Sequence, residues 1–212
     1  MTPHFFVALC GAFTLGLLYA EHKESAALKQ VFKPAASLAF ILAGIAAGGL
    51  ETPFGRLILT GLVLCALGDV LLIPRAPRFF LAGMGAFAAG HGAYIAAFAV
   101  GGVAMSPAVL LATAAAGVFS AGLVIWLWRD LGRFQAPVIA YAAVISAMVA
   151  SAAAHFAAAP SREAAQLFLA AAGFAVSDFS VARDQFRKRS FFNRLWGLPL
   201  YYAAQCLFAL SV

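Results

Sequence analysis

The chain has 212 residues, of which 64% are hydrophobic and 10% are charged, and its mean hydropathy is +0.95. Soluble domains are usually about 45–50% apolar and about 25% charged. The composition therefore excludes a water-soluble globular protein and predicts an integral membrane protein. The formal charge of +6 is spread over short loops and does not indicate nucleic-acid binding. The three cysteines lie far apart in apolar runs, so we expect neither a disulfide framework nor a zinc finger.

Eight segments meet or approach the roughly 20 apolar residues that a helix needs to cross a bilayer. They cover roughly residues 3–20, 34–50, 56–74, 79–100, 107–128, 136–158, 164–182 and 195–212. Several have a proline at or near the start, where its missing N–H costs little. The first segment lacks a basic region and a convincing cleavage site, so we expect a retained helix. The sequence predicts an all-α integral membrane protein, a single domain over residues 1–212 with about eight transmembrane helices.

The positive charges are distributed unevenly between the two sides of this predicted bundle. Twelve of the 14 Lys and Arg residues fall in the odd-numbered loops, and the other two are Arg56 and Arg162. The twelve are Lys23, Lys29, Lys33, Arg75, Arg78, Arg129, Arg133, Arg183, Arg187, Lys188, Arg189 and Arg194. Short cytoplasmic loops are enriched in Lys and Arg, so we predict that both termini face away from the cytoplasm. Alanine-rich helices and minimal loops favour a cytoplasmic (inner) cell membrane. The basic run from Arg187 to Arg189 sets the topology and contacts anionic lipid headgroups.

The two halves of the chain show a weak similarity to each other. Residues 66–69 (Ala-Leu-Gly-Asp) and 175–178 (Ala-Val-Ser-Asp) both lie late in the third predicted helix of their half. This pattern favours two parallel four-helix repeats, an arrangement known in transporters.

Asp69 and Asp178 are the two acidic residues expected inside the membrane, whereas the other six lie in loops or at helix ends. A charge at mid-helix costs about 2.5–3.5 kcal/mol on insertion scales. No Lys or Arg is expected inside a helix to offset this cost, so both carboxyls should face the bundle interior. Each precedes a loop marker, Pro74 or Arg183, by five residues, which predicts a common depth roughly 7 Å from the cytoplasmic helix ends. Two carboxyls at one level can act as proton donor and proton acceptor.

Other polar side chains of the predicted helices point towards the same region. His91 and Tyr94 are three residues apart and share a helix face. A histidine with small neighbours is as often a structural hydrogen-bonding group, and tyrosines near helix ends are often interfacial anchors. The further candidates are Tyr141, Tyr201, Tyr202 and Gln205.

These residues form a series of landmarks along nearly the whole chain. They are Lys33-Pro34, Leu67-Gly68-Asp69, Gly90-His91 with Tyr94, Pro137 with Tyr141, Ser177-Asp178 with Arg183 and Phe186, and Tyr201-Tyr202-Ala203-Ala204-Gln205. Their order and spacing resemble the YhhN-type lysoplasmalogenase family of membrane hydrolases, although Phe179-Ser180-Val181 is plainer than the family pattern. The resemblance implies a lysophospholipid substrate, a lysoplasmalogen, whose vinyl ether is hydrolysed to a fatty aldehyde and glycerophosphoethanolamine or glycerophosphocholine. It implies no cofactor and no metal.

Vinyl ether hydrolysis would use the two carboxyls in different protonation states. One of Asp69 and Asp178 protonates the β-carbon, and the other, ionised, stabilises the oxocarbenium ion and orients water. The sequence does not indicate which is which. His91, Tyr201 and Gln205 would position water or the glycerol hydroxyl. The basic residues expected to meet the phosphate are Arg75, Arg78, Arg183 and Arg187.

Three other functions remain open from the residues alone. A metal-dependent lipid hydrolase would bind zinc through His91, Asp69 and Asp178, although a single histidine makes a weak ligand set. An intramembrane aspartyl protease would need Gly-x-Gly-Asp, and Ala66 occupies the first glycine position. A proton-coupled transporter would use membrane carboxylates and a repeat.

Overall fold

The computed structural model describes residues 1–74 and 76–212, and within them it contains α-helices and one short 3-10 turn but no strand. The helices are α1 (Pro3–His22), α2 (Ala26–Ala46), α3 (Pro53–Leu71), α4 (Pro77–Gly101), α5 (Pro107–Leu131), α6 (Gln135–Ala158), α7 (Arg162–Phe186) and α8 (Phe191–Leu210). The predicted all-α class is confirmed.

The helices are long and apolar enough to make this a multi-pass membrane protein. Six segments of the described chain qualify by length and hydropathy: α1, α2, α3, α4, α7 and a 52-residue segment, Pro107–Ala158, that contains both α5 and α6. Helix α8 is not among them. The total of eight membrane crossings, the single domain and the two parallel four-helix repeats therefore stay predictions.

Local sequence signals set most of the helix starts. Proline occupies the first turn of α1, α3, α4 and α5, where a backbone N–H would have no helical partner, so the N–H that proline lacks is not missed. At five of the helices the hydroxyl of the preceding serine or threonine accepts a hydrogen bond from a backbone N–H of the first turn. These residues are Ser25, Thr52, Ser106, Ser161 and Ser190.

Helix α2 begins eight residues before the predicted start at residue 34. The Ser25 hydroxyl accepts a hydrogen bond from the Leu28 backbone N–H at 3.4 Å, which caps the helix there, and Pro34 lies in the helix interior. The α1–α2 loop is consequently short, and Lys33 lies two turns inside α2. The expectation that no Lys or Arg lies inside a helix is therefore wrong.

Helix α7 continues four residues beyond its predicted end and includes Asp184, which we expected in the following loop. Asp184 is buried there because Arg194 of α8 neutralises it, with an Nη2–Oδ2 distance of 2.6 Å. The two aspartates do not lie at the predicted common distance from their helix ends. Asp69 lies two residues before the end of α3, whereas Asp178 lies eight residues before the end of α7.

Consecutive helices pack as hairpins, and two helices join these hairpins into one bundle. Helix α8 contacts α1, α2, α3 and α7, whereas α6 contacts α4, α5 and α7. Helix α5 is peripheral and turns large apolar side chains outward, as lipid-facing helices do. The core between α2, α3, α4, α7 and α8 includes the fully buried rings of Phe40, Phe98, Phe174, Phe208 and Tyr94.

Candidate active site

Asp69 on α3 is almost completely buried and is surrounded by donors from two other helices. Ser37 Oγ of α2 and the Tyr201 hydroxyl of α8 each donate a hydrogen bond to Asp69 Oδ2 at 2.7 Å. The Lys33 ammonium lies 3.4 Å from Oδ1, and the two side chains are 13% and 3% exposed. A cation and two hydroxyl donors on one carboxylate favour its ionised form, which offsets part of the cost of burying the charge.

The Asp69 group continues into the bundle through α8. Gln205 donates from Nε2 to the Tyr201 hydroxyl oxygen at 3.1 Å and accepts at Oε1 from the Tyr94 hydroxyl at 2.9 Å. The Tyr94 ring stacks on Phe208 with ring centroids 4.1 Å apart. This chain of bonds fixes the Tyr201 hydroxyl that faces Asp69.

Asp178 on α7 belongs to a second, separate chain of hydrogen bonds. The Tyr141 hydroxyl of α6 donates to Asp178 Oδ2 at 2.6 Å, and His91 Nε2 of α4 lies 3.0 Å from the Tyr141 oxygen. A tyrosine hydroxyl has one proton, so while it is donated to Asp178 the Nε2–H of His91 must donate to Tyr141. His91 Nδ1 is then an unprotonated nitrogen, and it has no hydrogen-bond partner among the described residues.

Both carboxyl groups line one cavity, to which every helix from α2 to α8 contributes residues. The space in it that water-sized groups could occupy is about 120 Å³. Most of its wall is apolar and includes Leu123 of α5, Ile145 of α6 and Phe87 of α4. Tyr141, Tyr201 and Lys33 also line it, whereas His91, Tyr94 and Gln205 support it from outside. The cavity thus combines a mostly apolar wall with two carboxyl groups that have different hydrogen-bond partners.

The remaining predicted residues lie outside this cavity. The Tyr202 hydroxyl donates to the Lys33 carbonyl at 3.4 Å and links α8 to α2. Arg183, Arg78 and Arg187 do not line this cavity, and the Arg78 guanidinium lies over the Phe79 ring. The Arg187 guanidinium instead pairs with Asp130 at 2.7 Å. Arg75 lies outside the described residues.

Sequence reasoning missed Lys33 and Ser37 as members of the Asp69 site. The signal was present, because Ser25 is a helix-capping residue and places Lys33 and Ser37, four residues apart, on one face of α2. Lys33 was noted only as a loop charge and as part of the Lys33-Pro34 landmark.

A metal ligand set does not form from the predicted residues. In the part of the chain that the structure describes, no three His, Cys, Asp or Glu side chains come together closely enough to hold an ion. His91 hydrogen-bonds to Tyr141 instead of facing Asp69.

Comparison with known proteins identifies the family. The YhhN family model matches residues 28–212, which include every residue of both hydrogen-bond chains. The chain belongs to the YhhN family. The predicted resemblance is thereby confirmed.

Three curated relatives of this YhhN protein are similar over different shares of the chain. The protein named lysoplasmalogenase from Mycobacterium bovis is 37% identical over 141 residues, 63% of this chain and 52% of the relative, and the Mycobacterium tuberculosis protein of that name gives the same values. The chain thus spans about half the length of these mycobacterial relatives. Bovine (Bos taurus) lysoplasmalogenase TMEM86A is 30% identical over 217 residues, 98% of this chain and 86% of the relative. No solved structure matches significantly.

Proposed function

We propose that this YhhN protein is a lysoplasmalogenase, a hydrolase that cleaves the vinyl ether of lysoplasmalogens to a fatty aldehyde and a glycerophospho-base. Family membership and the names of the relatives support this activity. The observation that carries it is the apolar cavity lined by two carboxyl groups with different partners. Such a cavity suits a lysolipid, because its tail can lie against apolar side chains while its ether reaches the carboxyl groups.

The partners of each carboxyl group assign its role. Asp69 has a cation and two hydroxyl donors, so it is the ionised group that stabilises positive charge. Asp178 has no cation within ion-pair distance among the described residues and one hydroxyl partner, Tyr141. Asp178 is half-buried, and partial burial without a counter-ion disfavours the charged form of a carboxyl group, so Asp178 is the proton donor.

The reaction then proceeds by transfers that return both groups to their starting states. Asp178 gives its proton to the β-carbon of the vinyl ether, and the oxocarbenium ion forms beside the Asp69 carboxylate. Water adds to the cationic carbon and loses a proton to Asp69, which leaves a neutral hemiacetal. The carbon–oxygen bond to glycerol then breaks: Asp69 returns its proton to the glycerol oxygen, while the hemiacetal hydroxyl gives its proton to Asp178. Glycosidases handle a similar cation with two carboxyl groups.

The other polar residues position this pair. Tyr201 orients Asp69 and the attacking water, Gln205 fixes the Tyr201 hydroxyl, and Tyr94 holds Gln205. His91 and Tyr141 position Asp178, because His91 Nε2 donates to the Tyr141 oxygen and the Tyr141 hydroxyl donates to Asp178 Oδ2. Tyr202 holds the backbone of Lys33, and Arg183 acts outside the cavity as part of the basic membrane face. The scheme needs no cofactor or metal.

We place the protein in a cytoplasmic (inner) cell membrane with both termini on the non-cytoplasmic side. The excess of Lys and Arg in the odd-numbered loops supports this orientation. The site then opens towards the cytoplasmic half of the bilayer.

The test is aldehyde release from lysoplasmenylethanolamine by the purified protein in detergent. The wild type should release aldehyde, whereas Asp69→Asn and Asp178→Asn should lose at least about a hundredfold in kcat, as expected for removal of an acid–base group. Glu163→Gln is the matched control, since it neutralises an exposed acid on the same helix as Asp178. Size-exclusion profiles and thermal unfolding would verify that each variant is folded.

Full activity in either Asp variant would contradict the two-carboxyl mechanism. No aldehyde from a folded wild type would contradict the proposed activity and favour transport, which predicts uptake into sealed vesicles without chemical change. Loss of activity on chelation would favour the metal-dependent alternative.

A further inference from the structure

A second cavity adjoins the first at the end of the bundle formed by the α1–α2 and α7–α8 loops. Its empty volume is about 1290 Å³, and unlike the first cavity it is lined by many charged side chains. We call it the vestibule. Its charged lining residues are Glu21, Glu24, Lys29, Lys33, Asp184, Arg189 and Arg194. The residues that line both cavities are Lys33, Leu72, Phe80, Val181, Arg194 and Leu198.

Most of the charges in the vestibule are already paired. Lys29 lies 2.7 Å from Glu21, and Arg194 lies 2.6 Å from Asp184. Lys33 turns its ammonium to Asp69 of the neighbouring cavity. Each of these cations therefore has a carboxylate partner, so an incoming phosphate would have to compete for it.

Glu24 and Arg189 are the exceptions. Neither forms an ion pair with another described residue, and both are exposed. Glu24 has a φ of 52°, a left-handed conformation that costs a residue other than glycine about 1–2 kcal/mol. A glycine would adopt this conformation without that cost. Among its described lining residues, the vestibule thus offers one available negative charge, Glu24, and one available positive charge, Arg189.

We propose that the vestibule binds a zwitterionic phosphate–amine headgroup, with Arg189 on the phosphate and Glu24 on the ammonium. This inference rests on the proposed function and adds to it the place and the residues of headgroup binding. A site for a phosphate alone would need cations only, whereas charges of both signs match a headgroup that carries both. Guanidinium groups suit phosphate because they donate two parallel hydrogen bonds.

The order of groups in the substrate agrees with the order of the two cavities. In a lysoplasmalogen the glycerol backbone separates the phosphate from the vinyl ether, and the apolar chain follows the ether. A headgroup in the vestibule therefore places the ether near the boundary between the cavities, which Lys33 lines and where its ammonium contacts Asp69. The chain then extends along the apolar wall towards Asp178.

The test measures binding independently of catalysis, with saturated 1-alkyl lysolipids that have no vinyl group to hydrolyse. Dissociation constants are compared for an ethanolamine headgroup and for a bare phosphate headgroup in the same detergent. The wild type should bind the ethanolamine lipid more tightly. Glu24→Gln should reduce this preference by about twofold to fivefold, the effect of a partly exposed ion pair, whereas Arg189→Gln should weaken both lipids by a similar factor. Lys188→Gln is the matched control, an adjacent exposed cation that does not line the vestibule.

An unchanged headgroup preference in Glu24→Gln, or unchanged binding of both lipids in Arg189→Gln, would overturn the headgroup site. Aldehyde release by the wild type in the same preparation judges the proposed function separately. If the wild type releases aldehyde but the variants bind both lipids as the wild type does, only the headgroup site in the vestibule is refuted. Absent aldehyde release with the expected binding pattern refutes the hydrolase and leaves a zwitterionic lysolipid site.

Discussion

The ion pair between Lys33 and Asp69 gives the sharpest test of the site, because no sequence pattern required it. Lys33→Met removes the charge and keeps a similar apolar length. The pair is buried, with side-chain exposures of 13% and 3%, and its Nζ–Oδ1 distance is 3.4 Å. Removing one partner of a buried pair costs about 3–5 kcal/mol. We expect the lower end, about 3 kcal/mol, because Ser37 and Tyr201 still donate to the carboxylate.

This destabilisation has a measurable thermal signature. For a chain of this size 1 kcal/mol shifts Tm by about 2–4 °C, so Lys33→Met should lower Tm by about 6–12 °C. Intrinsic tryptophan fluorescence in detergent reports the transition. The exposed Lys188→Met is the control, and it should change Tm by about 2 °C at most, as surface substitutions usually do.

A double-mutant cycle separates the pair from general damage. In Lys33→Met with Asp69→Asn no buried charge is left unpaired, so this double variant should unfold at a higher temperature than Lys33→Met alone. Simple additivity of the two single changes, or an unchanged Tm in Lys33→Met, would refute a charged, coupled pair. Aldehyde release should fall in Lys33→Met, because an ionised Asp69 then lacks its cation.

Two further substitutions test the supporting groups. Tyr141→Phe removes the hydroxyl that donates to Asp178 at 2.6 Å, so kcat for aldehyde release should fall about tenfold or more and the pH–rate profile should change; an unchanged profile would show that this hydrogen bond does not influence the protonation of Asp178. Gly61→Ala would place a methyl group against the Tyr94 ring and should lower Tm by several degrees, whereas Gly92→Ala, with open space around it, should not. Equal Tm values for the two alanine variants would contradict the close packing at Tyr94.

Much of the fold follows from the sequence alone, because helix formation in lipid depends on local composition. Apolar runs with proline, serine or threonine at their starts define the helices, and the cost of a charge in lipid singles out Asp69 and Asp178. Errors arose where a single cap or a distant partner outweighed the local pattern. Ser25 extends α2 past Pro34, and Arg194 lets α7 continue through Asp184.

The partners of the two carboxyl groups were decided by the tertiary structure. Sequence spacing gives the position of a side chain along its helix, but it does not give the rotation of that helix or its neighbours in the bundle. Tyr201 reaches Asp69 across 132 residues of chain, and Tyr141 reaches Asp178 across 37. The sequence by itself determined that two acids must be satisfied inside a membrane bundle. Only the packing of α2 and α8 against α3, and of α6 against α7, decided that one acid faces a lysine and the other a tyrosine, since these contacts depend on which helix faces meet.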